Sequence, residues 1–234
     1  MLRRLIQAGA QLYKGPGYIL DSQLPVSALI GIVVRRAAGL MRCLCRFVVL
    51  SFDPRDWVFL EAGVRLRNRK LIRFGKGVSL GRQVLIDGLS RRGVTIGNRV
   101  AIGPFTIIEA TGVITNLGEG CSIGDDSGLG AFSFIGAAGG VWIGKNVIMG
   151  QRVSFHSENH ITARTDIPIR LQGVTRQGII VEDDCWVGAN VTFLDGAHVE
   201  SGCVIAAGSV VRGLIPSCSI AAGVPAKVIR SRKQ

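Results

Sequence analysis

The sequence predicts an all-β solenoid, in which short parallel strands wind into stacked triangular coils behind an N-terminal helical segment. An aliphatic residue recurs at every sixth position from about residue 74 onward. The chain has 32 glycines and only 6% aromatic residues, which suits many short strands joined by tight turns. A period of six matches neither the 3.6 residues of a helix nor the alternation of one long strand, so each repeat is a short strand followed by a bend.

The aliphatic positions are expected to stack into ladders inside coils of about eighteen residues, with three strands to each coil. A glycine often follows the aliphatic residue, as in Ile96-Gly97 and Val187-Gly188, and permits the corner. The runs, separated by breaks, are Phe74 and Leu80; Ile96, Ile102 and Ile108; Leu117, Ile123, Leu129 and Ile135; Ile143, Met149 and Phe155; and Val181, Val187, Phe193, Val199, Ile205 and Val211.

The chain divides into three segments. Residues 1–55 lack the repeat and are predicted to be helical and amphipathic, residues 56–216 form the solenoid with a loop inserted at 156–178, and residues 217–234 close it. Within residues 26–50, three arginines fall in a narrow arc at helical spacing, amid aliphatic neighbours: Arg35, Arg42 and Arg46. Such a helix either makes peripheral contact with an anionic membrane or packs on the solenoid or a neighbouring subunit, and both interpretations stay open.

The net charge of +12 indicates an anionic partner. Nucleic acid is excluded because the charges are dispersed and aromatic residues for base stacking are scarce. No secretory signal is visible, and the uncharged run at residues 22–34 is shorter than the roughly 20 residues that span a bilayer. The expected location is the cytoplasm, free or at the cytoplasmic face of the membrane. Three of the six cysteines, Cys121, Cys185 and Cys203, occupy small apolar places in the repeat and are expected to be buried thiols.

The repeat resembles that of the hexapeptide-repeat acyltransferase family over residues 60–230, and this resemblance implies a left-handed parallel β-helix. The same coil also serves γ-class carbonic anhydrases and tail domains of nucleotidyltransferases, so the fold alone does not decide function. The carbonic anhydrases bind zinc with three histidines from adjoining subunits. His156, His160 and His198 do not match that spacing, and no metal is expected.

The longest break in the repeat lies between Phe155 and Ile179, and a long excursion from a regular solenoid is usually a functional loop. In sugar and polysaccharide O-acetyltransferases of the family, the catalytic histidine stands at the start of this loop, commonly after asparagine or glycine. The resemblance therefore implies that His160, after Asn159, is the general base. His156 is the second candidate for the general base.

Around that base, His156, Glu158 and Asn159 are expected to contact the acceptor, and Glu158 or a backbone carbonyl to fix the imidazole tautomer. The galactoside-type enzymes hold the acceptor with a polar residue one coil before the histidine. This chain has Gly130 and Ala138 in that region instead. The acceptor contacts must differ, and neither galactosides nor maltose is assumed.

The segments 183–211 and 220–230 resemble the coenzyme A binding end of the family. Small residues would let an extended thioester arm lie along the coil, and cations would meet the nucleotide phosphates. The same small residues also fit as simple corner-formers, and the same cations as solvated charges. The positions implied are Trp186, Gly188, Ala189, Ala207, Gly208 and Ser209 for the arm, and Arg212, Lys227 and Arg230 for the phosphates.

Together these residues predict a homotrimeric enzyme that moves an acetyl group from acetyl-CoA to a sugar hydroxyl of a bacterial surface glycan or its lipid-linked precursor. Its active sites would lie between subunits, as in the family. N-acyl transfer to an amino sugar, and a non-catalytic trimeric scaffold recruited to membranes by the N-terminal helix, are the alternatives that the sequence leaves open.

Overall fold

The computed structural model describes residues 6–9, 11, 17–21, 24–50 and 57–233, without the side chains of 46–50. After helix α1 (Val26–Leu50), three parallel sheets form the sides of a triangular prism. Each turn of the chain adds one strand to each sheet, and, apart from the last strand of the first sheet, these strands pair in parallel with their equivalents one coil away. This is the predicted β-helix, which the chain builds from strands of two or three residues because each must bend at a corner.

The first sheet contains β1 (Phe59–Leu60), β4 (Ser79–Leu80), β7 (Ala101–Ile102), β10 (Gly128–Leu129), β13 (Ile148–Met149), β18 (Trp186–Val187), β21 (Val204–Ile205), β24 (Ser219–Gly223) and β25 (Ala226–Ser231). The second contains β2 (Arg65–Arg67), β5 (Leu85–Asp87), β8 (Ile107–Glu109), β11 (Phe134–Gly136), β14 (Ser154–His156), β19 (Thr192–Leu194) and β22 (Val210–Val211). The third contains β3 (Ile72–Phe74), β6 (Val94–Ile96), β9 (Cys121–Ile123), β12 (Val141–Ile143), β17 (Ile179–Val181), β20 (His198–Val199) and β23 (Leu214–Ile215).

The predicted coil of eighteen residues is found between Trp186 and its partner Val204. Several coils are longer, and 38 residues separate Ile148 from its partner Trp186. The additional residues leave the prism at one place, the turn from the second sheet to the third, which we call the loop corner. Its segments are 68–71, 88–93, 110–120, 137–140, 157–178 and 195–197. The other corners stay tight, so the prism presents one elaborated edge.

The interior ladders are as predicted for most positions, since Ile96, Ile102 and Ile108 are all at most 2% exposed. Phe155 and Phe193 stack one coil apart with ring centroids 4.6 Å apart and planes 11° from parallel. The placement of Leu117 in the ladder is wrong, because this residue lies in the 110–120 segment of the loop corner and is only half-buried.

The thiols of Cys121, Cys185 and Cys203 are buried, as predicted. Because burial disfavours the thiolate, the pKa of Cys121 is raised to about 12 and that of Cys185 to about 11. These cysteines therefore serve the fold as small apolar residues and are not nucleophiles.

Helix α1 covers the open edge of the first sheet. Leu29 and Cys43 are buried, and Arg42 Nη1 donates to the carbonyl oxygen of Leu60 at 3.0 Å. A Cβ on Gly39 would lie 3.3 Å from the Leu60 nitrogen, so glycine lets the helix approach the strand closely. The interpretation that the helix packs on the β-helix is confirmed for this face.

Of the arginines in the predicted basic arc of α1, Arg35 and Arg42 are exposed. Arg35 and Arg36 line a groove between the helix and the first sheet, and the Arg36 guanidinium lies 4.5 Å from the Phe59 ring centroid. The Arg46 side chain lies outside the described residues. In the described part of the chain, no helix combines the length and apolarity needed to cross a membrane.

Candidate active site

The 157–178 segment of the loop corner forms a short hairpin at its base. Strand β15 (Asn159–His160) runs antiparallel to β16 (Val174–Thr175), and His160 pairs with Val174. The hairpin holds the backbone of His160 in register while Asn159 and His160 themselves are exposed. A regular coil could not present a histidine in this way, because its residues alternate between the ladder and the flat outer face of a sheet.

His156 is the last residue of β14 and does not lie in the loop where the sequence placed it. Its exposed ring stands on the outer face of the second sheet, with its centroid 5.7 Å from that of Phe134. It therefore lies on the rigid coil just before the hairpin, where it could contact an acceptor bound by the loop.

Arg176 ties the base of this hairpin to the preceding loop. Its Nε donates to Glu158 Oε2 at 2.7 Å, and Nη1 donates to Asn116 Oδ1 at 3.1 Å and to the Leu117 carbonyl at 3.0 Å. Nη2 reaches the Asn116 carbonyl at 3.1 Å, and the arginine side chain is only 14% exposed. One guanidinium thus joins two loop-corner segments that are 60 residues apart in sequence.

Both ends of the inserted segment are anchored to the coils beside it. Ser157 Oγ accepts from the Gly139 nitrogen at 2.9 Å and donates to the Gly136 carbonyl at 2.8 Å. At the other end, Asp195 Oδ1 accepts from the backbone nitrogens of Gln177 and Gly178 at 2.9 and 2.8 Å. The hairpin therefore projects from a fixed base.

The Glu158 carboxylate, which was expected as one possible partner of the His160 imidazole, is bound by Arg176 through Oε2. Among the described residues, the His160 ring has no hydrogen-bonding partner. The ring is therefore open to an acceptor hydroxyl or to a residue of another subunit.

The predicted coenzyme A residues lie mostly along the first sheet. Trp186 points outward and is 58% exposed, and Val204 and Ile220 follow it in register on the same outer face. Strand β25 then turns back on β24, and a register shift between Ile220 and Ala221 places Arg230 opposite Ile220 and Lys227 opposite Ala222. Paired residues on adjacent strands project to the same side of a sheet.

The bulge therefore brings Lys227 and Arg230 to the end of the outward column that begins at Trp186. Without the bulge, Lys227 and Arg230 would project to opposite faces, because residues three apart in a regular strand do so. We refer to Trp186, Val204, Ile220, Lys227 and Arg230 as the outer column.

The small residues predicted to line the thioester arm of coenzyme A lie at the turn from the first sheet to the second. A Cβ on Gly188 would lie 2.5 Å from the Ala207 nitrogen, so stacking of the next coil already requires this glycine. Ala189 follows it at the same corner, and Ala207 and Gly208 are exposed one coil later. Ser209 is 1% exposed, and its hydroxyl accepts from the Gly223 nitrogen at 3.2 Å, so it faces inward. Arg212 follows β22 and lies apart from the outer column.

His160 and the outer column lie at different sides of the prism. The hairpin leaves the prism at the loop corner, whereas the column lies on the outer face of the first sheet, and the whole second sheet stands between them. A strand of three residues spans about 10 Å, so this separation is at least that large.

His198 lies outward on the third sheet. Its Nε2 lies 2.8 Å from Glu182 Oε1, and Ser201 donates to Glu182 Oε2 through both its nitrogen and its hydroxyl. The hydrogen bond from His198, followed by that from Ser201, lowers the pKa of Glu182 below its ordinary value. Within the part of the chain that the structure describes, no group of three histidine, cysteine or acidic side chains is placed to hold a metal ion.

Comparison with known proteins agrees with this geometry. Residues 178–213 match the family model described as bacterial transferase hexapeptide (six repeats). The chain is 30% identical over 182 residues to a Mycobacterium tuberculosis protein named as an acetyltransferase, with 76% of this chain and 57% of the relative covered. It is 24% identical over 201 residues to an Escherichia coli protein whose name assigns it to lipopolysaccharide biosynthesis as an O-acetyltransferase, with 80% and 89% covered.

Among solved structures, a variant N-acyltransferase from Bacillus cereus has the same fold, with a TM-score of 0.51 and 18% identity over 76% of this chain and 81% of the other. The triangular coil and the repeat match define a left-handed β-helix protein. The chain is therefore similar to hexapeptide transferases in its repeat and to proteins named as acetyltransferases over most of its length. It spans only 57% of the length of its mycobacterial relative.

Proposed function

We propose that this chain is an acyltransferase that moves an acetyl group from acetyl-CoA to a hydroxyl of a sugar, in a bacterial surface glycan or its lipid-linked precursor. The observation that carries the proposal is the outer column. An outward-facing apolar strip ends in two cations, Lys227 and Arg230, on one face. Coenzyme A has the complementary form, an extended arm of low charge that ends in phosphates, which lysine and arginine bind well.

His160 is the general base in this proposal. The neutral imidazole accepts the proton of the acceptor hydroxyl while the hydroxyl oxygen attacks the thioester carbonyl. The tetrahedral intermediate then collapses, the C–S bond breaks, and the imidazolium returns its proton to the departing coenzyme A sulfur. The products are the acetyl ester and free coenzyme A, and no acyl-enzyme forms.

The separation of His160 from the outer column supports an active site shared by two copies of the chain. In a cyclic trimer, the loop corner of one copy faces the first sheet of the next. His160 of one subunit would then reach a thioester that the outer column of its neighbour holds. His156 and Asn159, both exposed, would contact the acceptor together with that neighbour.

The names of the relatives support a sugar acceptor but differ in the atom acylated. The Escherichia coli relative is named an O-acetyltransferase of lipopolysaccharide biosynthesis. The Bacillus cereus enzyme was solved with an amino sugar linked to dTDP and with coenzyme A. We favour a hydroxyl because of the first relative, and an amino sugar is the second candidate to be assayed.

We also propose that the enzyme works at the cytoplasmic face of the membrane, through residues 26–50. Support comes from the exposed side of α1, where six apolar side chains are between 45% and 60% exposed: Val26, Ile30, Val33, Val34, Met41 and Leu44. A lipid-linked acceptor is presented at such a surface, so membrane contact would bring enzyme and acceptor together.

The test is calorimetric titration of the purified protein with acetyl-CoA, beside Arg230→Ala, His160→Ala and a control, Lys145→Ala, whose exposed lysine lies at another corner. We expect Arg230→Ala to weaken binding about tenfold, since one charge-assisted contact is lost, while the other two variants bind normally. His160→Ala should lower turnover by a factor of roughly 10² to 10⁴ with hydroxyl acceptors. No binding of acetyl-CoA by the unmodified protein would exclude an acetyl-CoA-dependent transferase and favour a scaffold.

A further inference from the structure

Charge is segregated along the axis of the prism. Residues 65–73, in the first coil, contain five basic residues and no acidic one. Residues 182–205, several coils later, contain five carboxylates and no lysine or arginine. Residues 206–234, at the far end, again contain five basic residues and no acidic one, so the prism is positive at both ends, one of which carries α1.

Four of the first-coil cations are open to solvent: Arg65, Arg67, Lys70 and Arg73. Among the described residues, none of the four is within ion-pair distance of a carboxylate. Arginines of later coils behave differently, since Arg99 pairs with Asp126 and Arg176 with Glu158. The first coil thus carries four exposed cations that no carboxylate pairs with among the described residues, and together they give it a positive potential. We refer to these four residues as the basic band.

The apolar side of α1 belongs to the same end of the molecule. Because α1 covers the β1 edge with Leu29, Gly39 and Cys43, its opposite side faces away from the prism. At 100° per residue, the side chains of Ile30, Val33, Val34, Met41 and Leu44 fall within an arc of about 100° on that side. We refer to these five residues as the apolar arc.

We propose that the basic band and the apolar arc together form a docking surface for a bilayer of anionic lipids. The apolar arc enters the headgroup region, and the basic band contacts lipid phosphates. This inference rests on the membrane contact proposed above and adds its lipid chemistry and orientation. An anionic bilayer is favoured over a protein partner because charge complementarity extends over three sides of the coil: the second sheet, the loop corner and the third sheet.

This orientation would place the hairpin that carries His160 at a fixed height above the bilayer surface. His160 follows β14, which is four coils beyond β2 in the second sheet. At about 4.8 Å per coil, the hairpin lies about 20 Å from the basic band. A sugar carried on a membrane lipid through a phosphate linkage could reach that height, and the intervening coils would provide the wall along which it lies.

The test is flotation of the full-length protein with vesicles of phosphatidylcholine alone and with vesicles that also contain phosphatidylglycerol. One variant, Arg67→Gln/Lys70→Gln/Arg73→Gln, removes three charges of the basic band. The control, Lys145→Gln/Arg152→Gln/Lys233→Gln, removes the same charge from exposed residues elsewhere. A third variant, Val34→Ser/Met41→Ser, makes the apolar arc polar, and all are checked for folding by circular dichroism.

We expect the unmodified protein to prefer the anionic vesicles, and the basic-band variant to bind them roughly a hundredfold more weakly, since each charge contributes about a fivefold factor. The control should stay within about threefold, because its charges lie away from the membrane. The apolar-arc variant should bind both kinds of vesicle less well.

Equal binding to both kinds of vesicle, or a basic-band variant no weaker than the control, would overturn the anionic surface while leaving the membrane contact in place. Binding to neither kind would remove the membrane contact as well. If the apolar-arc variant instead changed the mass measured by light scattering, the arc would be a contact between protein chains. None of these readouts depends on acetyl transfer, so the proposal can fail while the proposed activity stands.

Discussion

The Arg176 guanidinium and the Glu158 carboxylate form an ion pair, with Nη2 and Oε2 2.7 Å apart, at the base of the hairpin that carries His160. Glu158 stands two residues before the histidine, and Arg176 two residues after its strand partner Val174. Because Arg176 also binds Asn116 and Leu117, this pair fixes the hairpin to the preceding loop of the same corner. We conclude that Arg176 is a positioning residue for His160.

Replacing Arg176 by lysine should test this role. Lysine keeps the charge but lacks the planar fork, so it cannot contact Glu158, Asn116 and Leu117 together. We expect kcat to fall about tenfold to a hundredfold, because a small misplacement of a catalytic group has effects of that size. The KM for acetyl-CoA should be unchanged, and hydrogen exchange at residues 159–175 should become faster.

Arg164 offers a matched control, since it pairs with Asp166 in the same inserted segment but is exposed to solvent. Arg164→Lys should leave both kcat and exchange unaltered, as exposed ion pairs contribute little. If Arg176→Lys behaved like the control, or if it weakened acetyl-CoA binding as much as kcat, the positioning role would be wrong.

The sequence could predict the coil but not the contacts between its loops. The six-residue spacing of Ile96, Ile102 and Ile108 has one geometric solution, so the ladder followed from it. The prediction for Leu117 was wrong because this loop residue happens to lie six positions before the ladder residue Ile123. Nothing in the sequence near Arg176 distinguishes it from the other arginines, since its partners lie up to 60 residues away.

In the candidate site, too, features set by the local sequence could be predicted, whereas features set by the pairing of distant strands could not. The resemblance to sugar acetyltransferases pointed to His160 at the start of the long break, and the structure presents it on an exposed hairpin. That Lys227 and Arg230 project to one face depends on the bulge between Ile220 and Ala221. A bulge arises from the pairing of two strands, and a spacing rule applied to one strand cannot reveal it.

Gly188 can be used to separate a role in the coil from a role in binding. A Cβ at this position would meet the Ala207 nitrogen at 2.5 Å and its Cα at 2.7 Å. We expect Gly188→Ala to lower the free energy of unfolding by about 1–3 kcal/mol, because the next coil has to shift. Chemical denaturation monitored by circular dichroism measures this change.

Gly128, also in the first sheet, is the control for that substitution, because the nearest atom to an added Cβ is 4.0 Å away. Gly128→Ala should be neutral or stabilising by about 0.4–1 kcal/mol, since alanine restricts the unfolded chain. A Gly188→Ala protein of normal stability that had lost acetyl-CoA binding would instead show that this glycine serves the cofactor.

The Glu182 carboxylate should make stability depend on pH. Its pKa is lowered by the hydrogen bonds from His198 and Ser201, so the folded state binds the proton less readily than the unfolded state. The resulting stabilisation is fully present above the ordinary pKa of a glutamate and is lost as pH falls through the lowered value. The difference in unfolding free energy between the unmodified protein and Glu182→Gln should therefore shrink in acid.

Glu61→Gln removes one carboxylate elsewhere and corrects for the change in net charge. Urea denaturation at several pH values below neutrality measures the unfolding free energy of each variant, and each value is compared with that of the unmodified protein. A difference for Glu182→Gln that stayed constant across the acid range, or that followed the Glu61→Gln difference, would mean that the contacts with His198 and Ser201 do not stabilise the folded state.

A shared active site makes a prediction about mixtures of two inactive variants. His160→Ala lacks the base but keeps the outer column, and Arg230→Ala keeps the base but has a weakened column. If each site takes His160 from one subunit and Arg230 from the next, a mixed trimer contains some sites with both residues intact. Each mixed trimer has about one intact site in three, because a cyclic arrangement has one such interface per subunit and only one of them joins an intact His160 to an intact Arg230.

We therefore expect proteins co-expressed with two different tags, and purified through both, to recover a substantial part of the unmodified activity when acetyl-CoA is limiting. The two variants purified separately and mixed without exchange of subunits are the control, and they should stay at their individual low rates. If co-expressed mixtures also stayed at the sum of those rates, His160 and Arg230 would have to act within one chain. The second sheet that separates them would then have to be bridged by a movement of the hairpin.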